Sequence, residues 1–433
     1  MRKAIKRALV SVYDKDRIIE VGKALSEKGI EIISTGSTAM TLAAAGIKVI
    51  EVSNYTNTSE ILDGRVKTLH PKLHSGILAD QNNPEHLAAI KSLGIEPFDL
   101  IIINLYPFLE TISSGATDQE SIEHIDIGGP ALLRGAAKNY SSVAVISNPN
   151  QYDELIVALN QGGFTLTERK KLATESFRTT AEYDIAIANW LGAGNEIPDW
   201  LANVWKLNEH LRYGENLHQR AAFYKSKFST SVGIEQLHGK TMSFNNYIDA
   251  DAAWRAVQDQ HEPAAVIVKH TNPCGIAVDK KVSGAFEKAY ACDPTSAYGA
   301  VVAVNQKVDS ELLNKLADKF IEVLVAPDYE QSALKTLMEK PQIRILKANL
   351  DKLEALQIRQ ITGGLLLQEI DYVDAPGDNP ENWQQVSGEK VSPELIEDLK
   401  FAWRAVRAIK SNGILLAKNG ARSEEHTSEL QSH

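Results

Sequence analysis

The fold is decided by the stretch RALVSVYDKDRIIEVGKALSEKGIEIIS, residues 7–34, in which two short apolar segments flank a longer amphipathic one. The segments at residues 7–12 and 31–34 are rich in β-branched residues and too short for helices, so they are predicted to be strands. Apolar residues between them recur at helical spacing, which predicts a helix capped by Asp14 or Asp16. This alternation of strand and helix predicts a parallel α/β sheet covered on both faces.

The same alternation continues through DLIIIN, residues 99–104, and SVAVIS, residues 142–147, so the predicted sheet domain extends over residues 7–148. Ligands of such sheets bind at the carboxyl ends of the strands. The polar residues at these ends are the first site candidates: Tyr13, Asp14, Lys15, Thr35, Gly36, Ser37, Thr38, Asn104 and Tyr106. Those at 35–38 also lie where a helix begins, and its free N–H groups favour phosphate, although a plain helix cap explains the same residues.

The segment GRVKTLHP, Gly64 to Pro71, has neither the period of a strand nor that of an amphipathic helix, which predicts a loop. In that loop Arg65 can bind a phosphate through two hydrogen bonds, Lys67 as a point charge and Thr68 as a hydroxyl donor. For this segment taken alone, a solvated basic turn is the alternative.

The run IDIGGPALLRGAAKN, residues 125–139, predicts a tight turn followed by a helix. Pro130 suits the first turn of that helix, where its missing N–H has no partner to lose. Arg134 and Lys138 are then one helical turn apart and repel each other by about 0.2–0.5 kcal/mol unless an anion lies beside them. A solvated basic face is the alternative.

In the second half of the chain the clearest segment is AAVIVKHTNPCG, residues 264–275. It is predicted to be a buried strand that ends in Lys269 and His270, followed by a turn at Pro273 and Gly275. The lysine would lower the pKa of the neighbouring histidine and keep it a neutral base. A purely structural histidine at a strand end is the alternative.

Residues 149–199 lie between the two halves and are predicted to be a mostly helical connector. Its large apolar and aromatic side chains are assigned to packing alone: Leu155, Leu159, Phe164, Phe177 and Tyr183. No chemistry is predicted for this segment.

Composition limits the class of protein. The 433-residue chain exceeds one ordinary core, which predicts two or three domains. Its net charge of -10 argues against sequence-independent nucleic-acid binding. The two cysteines, Cys274 and Cys292, exclude a disulfide framework and a cysteine-rich zinc site, and no metal is predicted. The apolar run near the amino terminus is too short for a signal peptide and no run reaches membrane-spanning length, so we expect a cytoplasmic protein.

A series of motifs runs through residues 7–420 in one order: SVYDK, STGST, GRVKTLHPKLH, NLYPF, IDIGGPALLRGAAKN, RYGEN, VKHTNPCG, DPTSAYG and SNGILLAKNG. In these motifs and their order the chain resembles a family of bifunctional purine-biosynthesis enzymes. Members join 5-aminoimidazole-4-carboxamide ribonucleotide (AICAR) formyltransferase to inosine monophosphate (IMP) cyclohydrolase. Several motifs in the same order make a chance match implausible.

The resemblance implies a domain organisation. Residues 1–148 would form the IMP cyclohydrolase domain, with a methylglyoxal-synthase-like parallel sheet, and the connector would follow. Residues 200–420 would form the AICAR transformylase domain, an α/β domain with cytidine-deaminase-like subdomains that lack zinc. We expect that domain to be incomplete at its carboxyl end, because residues 421–433 are polar, lack periodicity and look like a non-native tail.

For the first domain the resemblance implies a nucleotide site. Phosphate and ribose would be held by Tyr13, Asp14, Lys15, Thr35, Gly36, Ser37, Thr38, Arg65, Val66 and Thr68. The base would face Asn104, Tyr106, Asp126 and Ile127.

The implied reaction in that site is a ring closure, in which a carboxamide nitrogen attacks a formyl carbon and water leaves. We expect Lys138 to act as general acid and base. Lys67 and Tyr106 would stabilise the developing oxyanion, and Asp126 would orient the amide.

For the second domain the resemblance implies formyl transfer to AICAR from a co-substrate, 10-formyltetrahydrofolate. His270 matches the family's catalytic histidine. Lys269 and Asn412 match groups that position the formyl group and the carboxamide. The nucleotide would also contact Arg212, Tyr213, Gly299 and Glu322.

The implied partners are small molecules, namely AICAR, its formylated product (FAICAR), IMP and folate, and a second copy of the chain in a homodimer. No nucleic acid or membrane partner is expected. We expect an intact cyclohydrolase half and a transformylase half impaired by the truncation.

Two alternatives to this function remain open. One is a methylglyoxal-synthase-like enzyme, against which RYGEN and VKHTNPCG argue. The other is a non-catalytic regulatory module that binds a phosphorylated ligand. Such a module would not need Tyr106, Asp126 and Lys138 together.

Overall fold

Two units of the chain are described separately in the computed structural model, Met1–Ala202 and Asn203–His433. The structure describes residues 1–62, 65–194, 197–228, 233–349, 356–373 and 375–422. Gly64 of the predicted anion loop therefore lies outside the described residues. In the ranges described, the helices are all too short or too polar to cross a bilayer.

The first unit contains seven strands and ten helices within these ranges. Its strands are β1 (Arg2–Lys3), β2 (Arg7–Val12), β3 (Glu31–Ser34), β4 (Ile50–Glu51), β5 (Leu100–Asn104), β6 (Ala144–Ile146) and β7 (Phe164–Thr165). Its helices are α1 (Ile18–Glu27), α2 (Gly36–Ala44), α3 (Val52–Thr56), α4 (Pro71–Leu78), α5 (Pro84–Ser92), α6 (Phe108–Ser113), α7 (Asp118–Glu123), α8 (Gly128–Lys138), α9 (Tyr152–Asn160) and α10 (Leu166–Leu191).

A five-stranded sheet in the order β4-β3-β2-β5-β6 forms the centre of this unit, and every neighbouring pair in it is parallel. Residues 100–103 of β5 are all buried, although successive side chains point to opposite faces. Both faces of the sheet are therefore covered. The parallel α/β sheet predicted from the alternation is confirmed.

The start of α1 differs from the prediction. Arg17 is the N-cap residue, with φ 54° in the left-handed region, and no side chain caps the helix. Asp14 instead accepts a hydrogen bond from the N–H of Asp16 at 2.9 Å. The capping prediction was wrong because this aspartate stabilises the turn before the helix.

The second unit contains twelve strands and six helices within the described ranges. Its strands are β8 (Trp205–Leu211), β9 (Ala221–Ser226), β10 (Ile234–His238), β11 (Ala264–Lys269), β12 (Asn272–Val278), β13 (Val301–Val304), β14 (Val323–Ala326), β15 (Arg344–Ala348), β16 (Leu356–Ile361), β17 (Gly364–Glu369), β18 (Ala417–Lys418) and β19 (Ala421–Arg422). Its helices are α11 (Phe244–Gln258), α12 (Val282–Cys292), α13 (Pro294–Ala297), α14 (Ser310–Leu316), α15 (Gln331–Met338) and α16 (Pro393–Val406).

An eight-stranded mixed sheet organises this unit, in the order β10-β15-β14-β13-β11-β12-β19-β18. The β13, β14 and β15 strands are parallel, and the other neighbours are antiparallel. Phe286 of α12 and Leu312 of α14 belong to the core on one face. Trp254 of α11 and Phe401 of α16 belong to the core on the other. The pairs β8–β9 and β16–β17 form separate antiparallel hairpins.

Two details of the second unit differ from simple sequence reading. His270 and Thr271 form the two-residue turn between β11 and β12, so Pro273 and Gly275 lie inside β12 and the predicted turn position was wrong. Ala421, the first residue of the expected tail, pairs with Ala277 of β12. Residues 423–433 lie outside the described residues.

The α1 helix offers a matched pair of core and surface positions. Ile18 is fully buried, whereas the neighbouring Ile19 is 40% exposed. We predict that Ile18→Ala lowers the free energy of unfolding by about 2–5 kcal/mol, because it removes buried methyl groups and leaves a cavity. Ile19→Ala should cost less than about 1 kcal/mol, since alanine favours helix. Urea unfolding of both variants tests this, and equal losses would contradict the assigned burial.

Candidate functional site

A cavity of about 760 Å³ opens at the carboxyl ends of β2, β3 and β5. The parallel register explains its position, because Val12 and Asn104 are paired at the ends of adjacent strands and their following loops leave at the same edge. The predicted residues that line it are Tyr13, Lys15, Thr35, Ser37, Thr38, Arg65, Lys67, Thr68, Asn104, Tyr106, Asp126 and Ile127. Most of the predicted nucleotide site is therefore brought together.

Asp14, Gly36 and Val66 lie next to lining residues without lining the cavity themselves. The side chain of Asn104 holds Asp14 in place. Its Oδ1 accepts from the N–H of Asp14 at 3.0 Å, and its Nδ2 donates to the carbonyl of Asp14 at 2.9 Å. Val66 forms an isolated antiparallel bridge with Ile61. These three residues belong to the loops around the cavity, but their atoms do not form its wall.

Lys138 lies away from this cavity. It is the last residue of α8, whose first residue Gly128 lines the cavity, and the helical rise separates the two positions by about 15 Å. Lys138 lines a second cavity, of about 560 Å³, together with Arg134, Lys170 and Phe177. The guanidinium of Arg134 lies 5.5 Å from the centre of the Phe177 ring, so Phe177 is not simply a packing residue.

The two cations of the predicted anion loop are paired with carboxylates. Lys67 Nζ lies 3.1 Å from Glu60 Oε1, and Arg65 forms an ion pair with Glu123. Both pairs are substantially exposed, and such pairs contribute only about 0–1 kcal/mol. A substrate phosphate can therefore replace these carboxylates at small cost.

The hydroxyls at the start of α2 have different partners. Thr38 donates to the carbonyl of Val12 at 3.0 Å and accepts from the N–H of Val12 at 3.2 Å, which ties α2 to the end of β2. Thr35 Oγ1 lies 2.6 Å from Ser11 Oγ. The hydroxyl proton of Thr38 is already donated to Val12, so this side chain holds the start of α2 in place and does not donate to an anion.

Aromatic side chains form another part of the cavity lining. The ring of Tyr106 is edge-on to Tyr13, with centroids 5.2 Å apart, and edge-on to His124 at 6.2 Å. Lys15 lies beside this wall, and burial lowers the pKa of its amine. Such a wall can pack against a planar ring while the polar edge binds phosphate.

Asp126 contributes a largely buried carboxylate to the cavity lining. Its Oδ1 accepts from the N–H of Gly129 at 2.8 Å. Burial raises the pKa of this carboxyl, although the N–H groups of Gly129, Tyr106 and Gly128 act in the opposite direction. A Cβ on Gly129 would lie 2.4 Å from Asp126 Oδ2, and one on Gly128 would lie 2.4 Å from Thr68 Oγ1. Only glycine at positions 128 and 129 leaves room for the side chains of Thr68 and Asp126.

Several lining residues were not predicted as ligand contacts: Ser11, Val12, Ile103, Ile122, Glu123, His124, Ile125, Gly128, Gly129 and Leu132. The sequence contained a motif that locates part of this set: Thr117 and Glu120 form a capping box at the start of α7. That motif implies a short helix ending next to the IDIGG turn. The sequence did not indicate which side of that helix faces the cavity.

In the second unit, His270 lies in a strained turn. His270 and Thr271 have φ values of 56° and 63°, a region that residues other than glycine seldom adopt. The carboxylate of Asp249 accepts from the N–H of Thr271 at 2.7 Å and from that of His270 at 3.3 Å. Burial raises the pKa of the Asp249 carboxyl. Asp249, which sequence reasoning missed, thus stabilises the turn that presents His270.

The other predicted residues of the second unit have identifiable neighbours. Lys269 Nζ donates to the carbonyl of Tyr298 at 3.0 Å, next to Gly299. Glu322 pairs with the buried Arg344 at 3.1 Å.

Arg212 and Asn412 complete the predicted set in this unit. The guanidinium of Arg212 lies 5.3 Å from the ring centre of Tyr213. Asn412 has φ 66°, and in the described part of the chain no hydrogen bond joins it to Lys269 or His270. No group of three His, Cys, Asp or Glu side chains within the described ranges is placed to hold a metal ion.

These features define an α/β protein with a candidate small-molecule site at the carboxyl edge of a parallel sheet. The sequence profile described as the AICARFT/IMPCHase bienzyme matches residues 136–423, and that of the MGS-like domain matches residues 17–131. The chain belongs to the AICARFT/IMPCHase bienzyme family, and the family and α/β fold predicted from its motifs are confirmed.

Curated relatives support the same assignment. The bifunctional purine biosynthesis protein PurH of Corynebacterium glutamicum (strain R) is 50% identical over 428 residues, which are 97% of this chain and 82% of that protein. PurH of Mycobacterium marinum is 49% identical over 431 residues, with the same shares of both chains. The crystal structure of a protein called ForH is 32% identical over 44% of this chain and all of its own, but its TM-score of 0.39 is too low to bear on the fold.

Asp126 provides a pH-dependent test of the cavity. Its folded-state pKa is raised above the ordinary value of 3.8. Ionisation of this buried carboxyl therefore lowers the free energy of unfolding as the pH rises above that value. Asp126→Asn keeps an oxygen for the N–H of Gly129 and removes the charge. We therefore predict that the stability of Asp126→Asn relative to wild type increases from pH 4 to pH 7, while kcat for ring closure falls about 100-fold.

Urea unfolding across this pH range and steady-state kinetics measure the two effects. Asp184→Asn, at an exposed position of α10, controls for the loss of one negative charge. A stability difference that does not change with pH, or an unchanged kcat, would contradict the description of Asp126.

Proposed function

We propose that the chain carries out the last two steps of IMP synthesis: formyl transfer from 10-formyltetrahydrofolate to AICAR, then closure of FAICAR to IMP. Membership of the bienzyme family and the 50% identity to a bifunctional purine biosynthesis protein support both activities. The observation that carries the second step is the 760 Å³ cavity that collects Lys67, Tyr106 and Asp126 at one sheet edge. Its volume lies within the roughly 300–1,000 Å³ usual for small-molecule sites.

The nucleotide would bind with its phosphate toward Arg65, Lys67 and the start of α2. Arginine and lysine side chains suit a phosphate dianion, and the N-terminal end of α2 adds free N–H groups. The purine-precursor ring would then lie against Tyr106, with its carboxamide near Asp126. This orientation uses the polar and aromatic walls of the cavity for the two ends of the substrate.

Ring closure needs proton transfers at two nitrogens and one oxygen. The carboxamide nitrogen attacks the formyl carbon and gives up a proton, while the former formyl oxygen gains one. The resulting hydroxyl leaves as water together with the proton of the formylamino nitrogen. Lys67 and Tyr106 would stabilise the negative charge that develops on the oxygen, and Asp126 would accept a hydrogen bond from the amide.

In the second unit, His270 would take the proton of the weakly nucleophilic AICAR amine as the formyl group is transferred. The turn fixed by Asp249 supports this role because it holds the imidazole at the end of the β11–β12 hairpin. Lys269, Asn412, Arg212, Tyr213, Gly299 and Glu322 remain predicted contacts to the two substrates. A folate co-substrate, a homodimer and a cytoplasmic location are part of the same proposal.

The alternatives have less support. A methylglyoxal synthase or a phosphate-sensing module would account for the match at residues 17–131 only. The match at 136–423 and the relatives that cover 97% of the chain favour the bifunctional enzyme.

An absorbance assay with FAICAR alone, and then with AICAR plus 10-formyltetrahydrofolate, measures the two activities. We predict IMP formation from FAICAR and a fall in its kcat of about 100–1,000-fold in Lys67→Ala, because an electrostatic stabiliser of the oxyanion is lost. Lys72→Ala is the control: it removes a lysine of the same motif whose amine contacts Tyr55. Saturable nucleotide binding without turnover by the wild type would favour the regulatory module.

The role of Lys138 needs a separate test, because it lines the second cavity and lies about 15 Å along α8 from Gly128 at the first. A catalytic Lys138 would have to come from a second chain, which the proposed homodimer allows. If so, Lys138→Ala and Lys67→Ala subunits, each inactive alone, should regain roughly a quarter of wild-type activity when mixed and reassembled. Half of the dimers are then mixed, and each has one intact site of two.

Failure of the mixture to regain activity while Lys138→Ala alone is inactive would contradict this trans arrangement. Full activity of Lys138→Ala would remove the lysine from the mechanism. Size-exclusion chromatography with light scattering checks that dimers are present.

A further inference from the structure

The predicted connector contains a residue that touches the candidate cyclohydrolase site. Tyr183 lies in α10, the long helix after residue 165, and only 9% of it is exposed. Sequence reasoning assigned this tyrosine to packing alone. Its hydroxyl, however, is directed at the segment that carries Asp126.

The Tyr183 hydroxyl makes two hydrogen bonds to backbone groups. It donates to the carbonyl of His124 at 2.8 Å and accepts from the N–H of Asp126 at 2.8 Å. Both residues line the 760 Å³ cavity. One hydroxyl therefore bridges the two peptide groups on either side of Ile125 and limits the movement of this segment.

The ring of Tyr183 is itself held in place by aromatic neighbours. Phe108 lies edge-on to it with centroids 6.2 Å apart, and Trp190, two turns further along α10, lies edge-on to Phe108 at 5.6 Å. Phe108 also donates its N–H to the carbonyl of Tyr106 at 2.9 Å. The same aromatic group thus contacts the two chain segments that supply Asp126 and Tyr106.

The segment from His124 to Ile127 needs such an anchor because it lies between two helices. The α7 helix ends at Glu123 and α8 begins at Gly128. A buried carboxylate contributes to catalysis only when its direction is set before the reaction, and an error of about 1 Å can cost about 100-fold in rate.

We propose that Tyr183 is a positioning residue for ring closure: its hydroxyl holds the His124–Asp126 backbone so that the Asp126 carboxylate faces the reacting amide. This inference rests on the proposed cyclohydrolase function. Lys67 and the start of α2 are held by contacts that do not involve the anchored segment, namely the ion pair with Glu60 and the bond of Thr38 to Val12.

The test is Tyr183→Phe, which removes the hydroxyl and keeps the ring between Phe108 and α10. We expect kcat for FAICAR closure to fall about 10- to 100-fold. The KM should stay within about threefold, because phosphate and ribose contacts remain. Thr180→Val is the matched control: it is a nearly isosteric loss of a buried hydroxyl on the same helix, which within the described residues bonds only to the carbonyl of Phe177. Its kcat should stay within about twofold of wild type.

Two kinetic results would overturn the proposal. One is a Tyr183→Phe enzyme with kcat within twofold of wild type. The other is general damage to the fold, shown by a rise in KM in proportion to the loss of kcat or by an equal loss of kcat in Thr180→Val.

Hydrogen–deuterium exchange of the unmodified chain gives a test that depends neither on activity nor on the folding of a variant. The amide of Asp126 should exchange slowly, like those of α8, because it donates to Tyr183. Exchange as fast as at Ala116, in the loop before α7, would overturn the proposal. An inactive wild type with a protected Asp126 amide would refute the proposed function and leave the anchoring contact in place.

Discussion

Parallel pairing of β2 with β3 and β5 is the constraint on which the first unit depends. The central strand β2 is hydrogen-bonded on both sides, and its residues Ala8 to Val10 are almost completely buried. A slip of one residue would move every side chain of β2 from one packed face of the sheet to the other. Because all three strands run in one direction, the loops after them leave at one edge, and the cavity forms there.

The α8 helix shows how one rigid element separates two functions. Its first turn, with Gly128 and Gly129, allows Thr68 and Asp126 to approach closely, whereas its second half presents Arg134 and Lys138 to another cavity. A helix does not bend by 15 Å to bring its ends together. Under the proposed function, a catalytic Lys138 would act from a second chain, whereas Asp126 would act within its own.

Both candidate sites use side chains from elsewhere in the sequence to stabilise a backbone segment. Tyr183 binds the segment before α8, and Asp249 binds the two left-handed residues of the β11–β12 turn. In each case the anchoring residue comes from a helix and the reactive candidate from a loop. Such anchors restrict the loop without filling the space that a substrate needs.

The sequence by itself determined the α/β class, the strands β2, β3 and β5, and most of the cavity lining. These depend on local patterns: apolar periodicity, turn residues and the polar residues that follow each strand. It also led to the family, through motifs such as IDIGG and VKHTNPCG.

Only the tertiary structure decided which of these residues meet. It separated Lys138 from Asp126, engaged the Thr38 hydroxyl with Val12, and brought Tyr183 to the site from 57 residues away. These facts depend on which face of a helix packs against which strand and on the distance that a rigid helix spans. Periodicity identifies a buried face but not the partner it is buried against, so the anchoring contacts follow from packing alone.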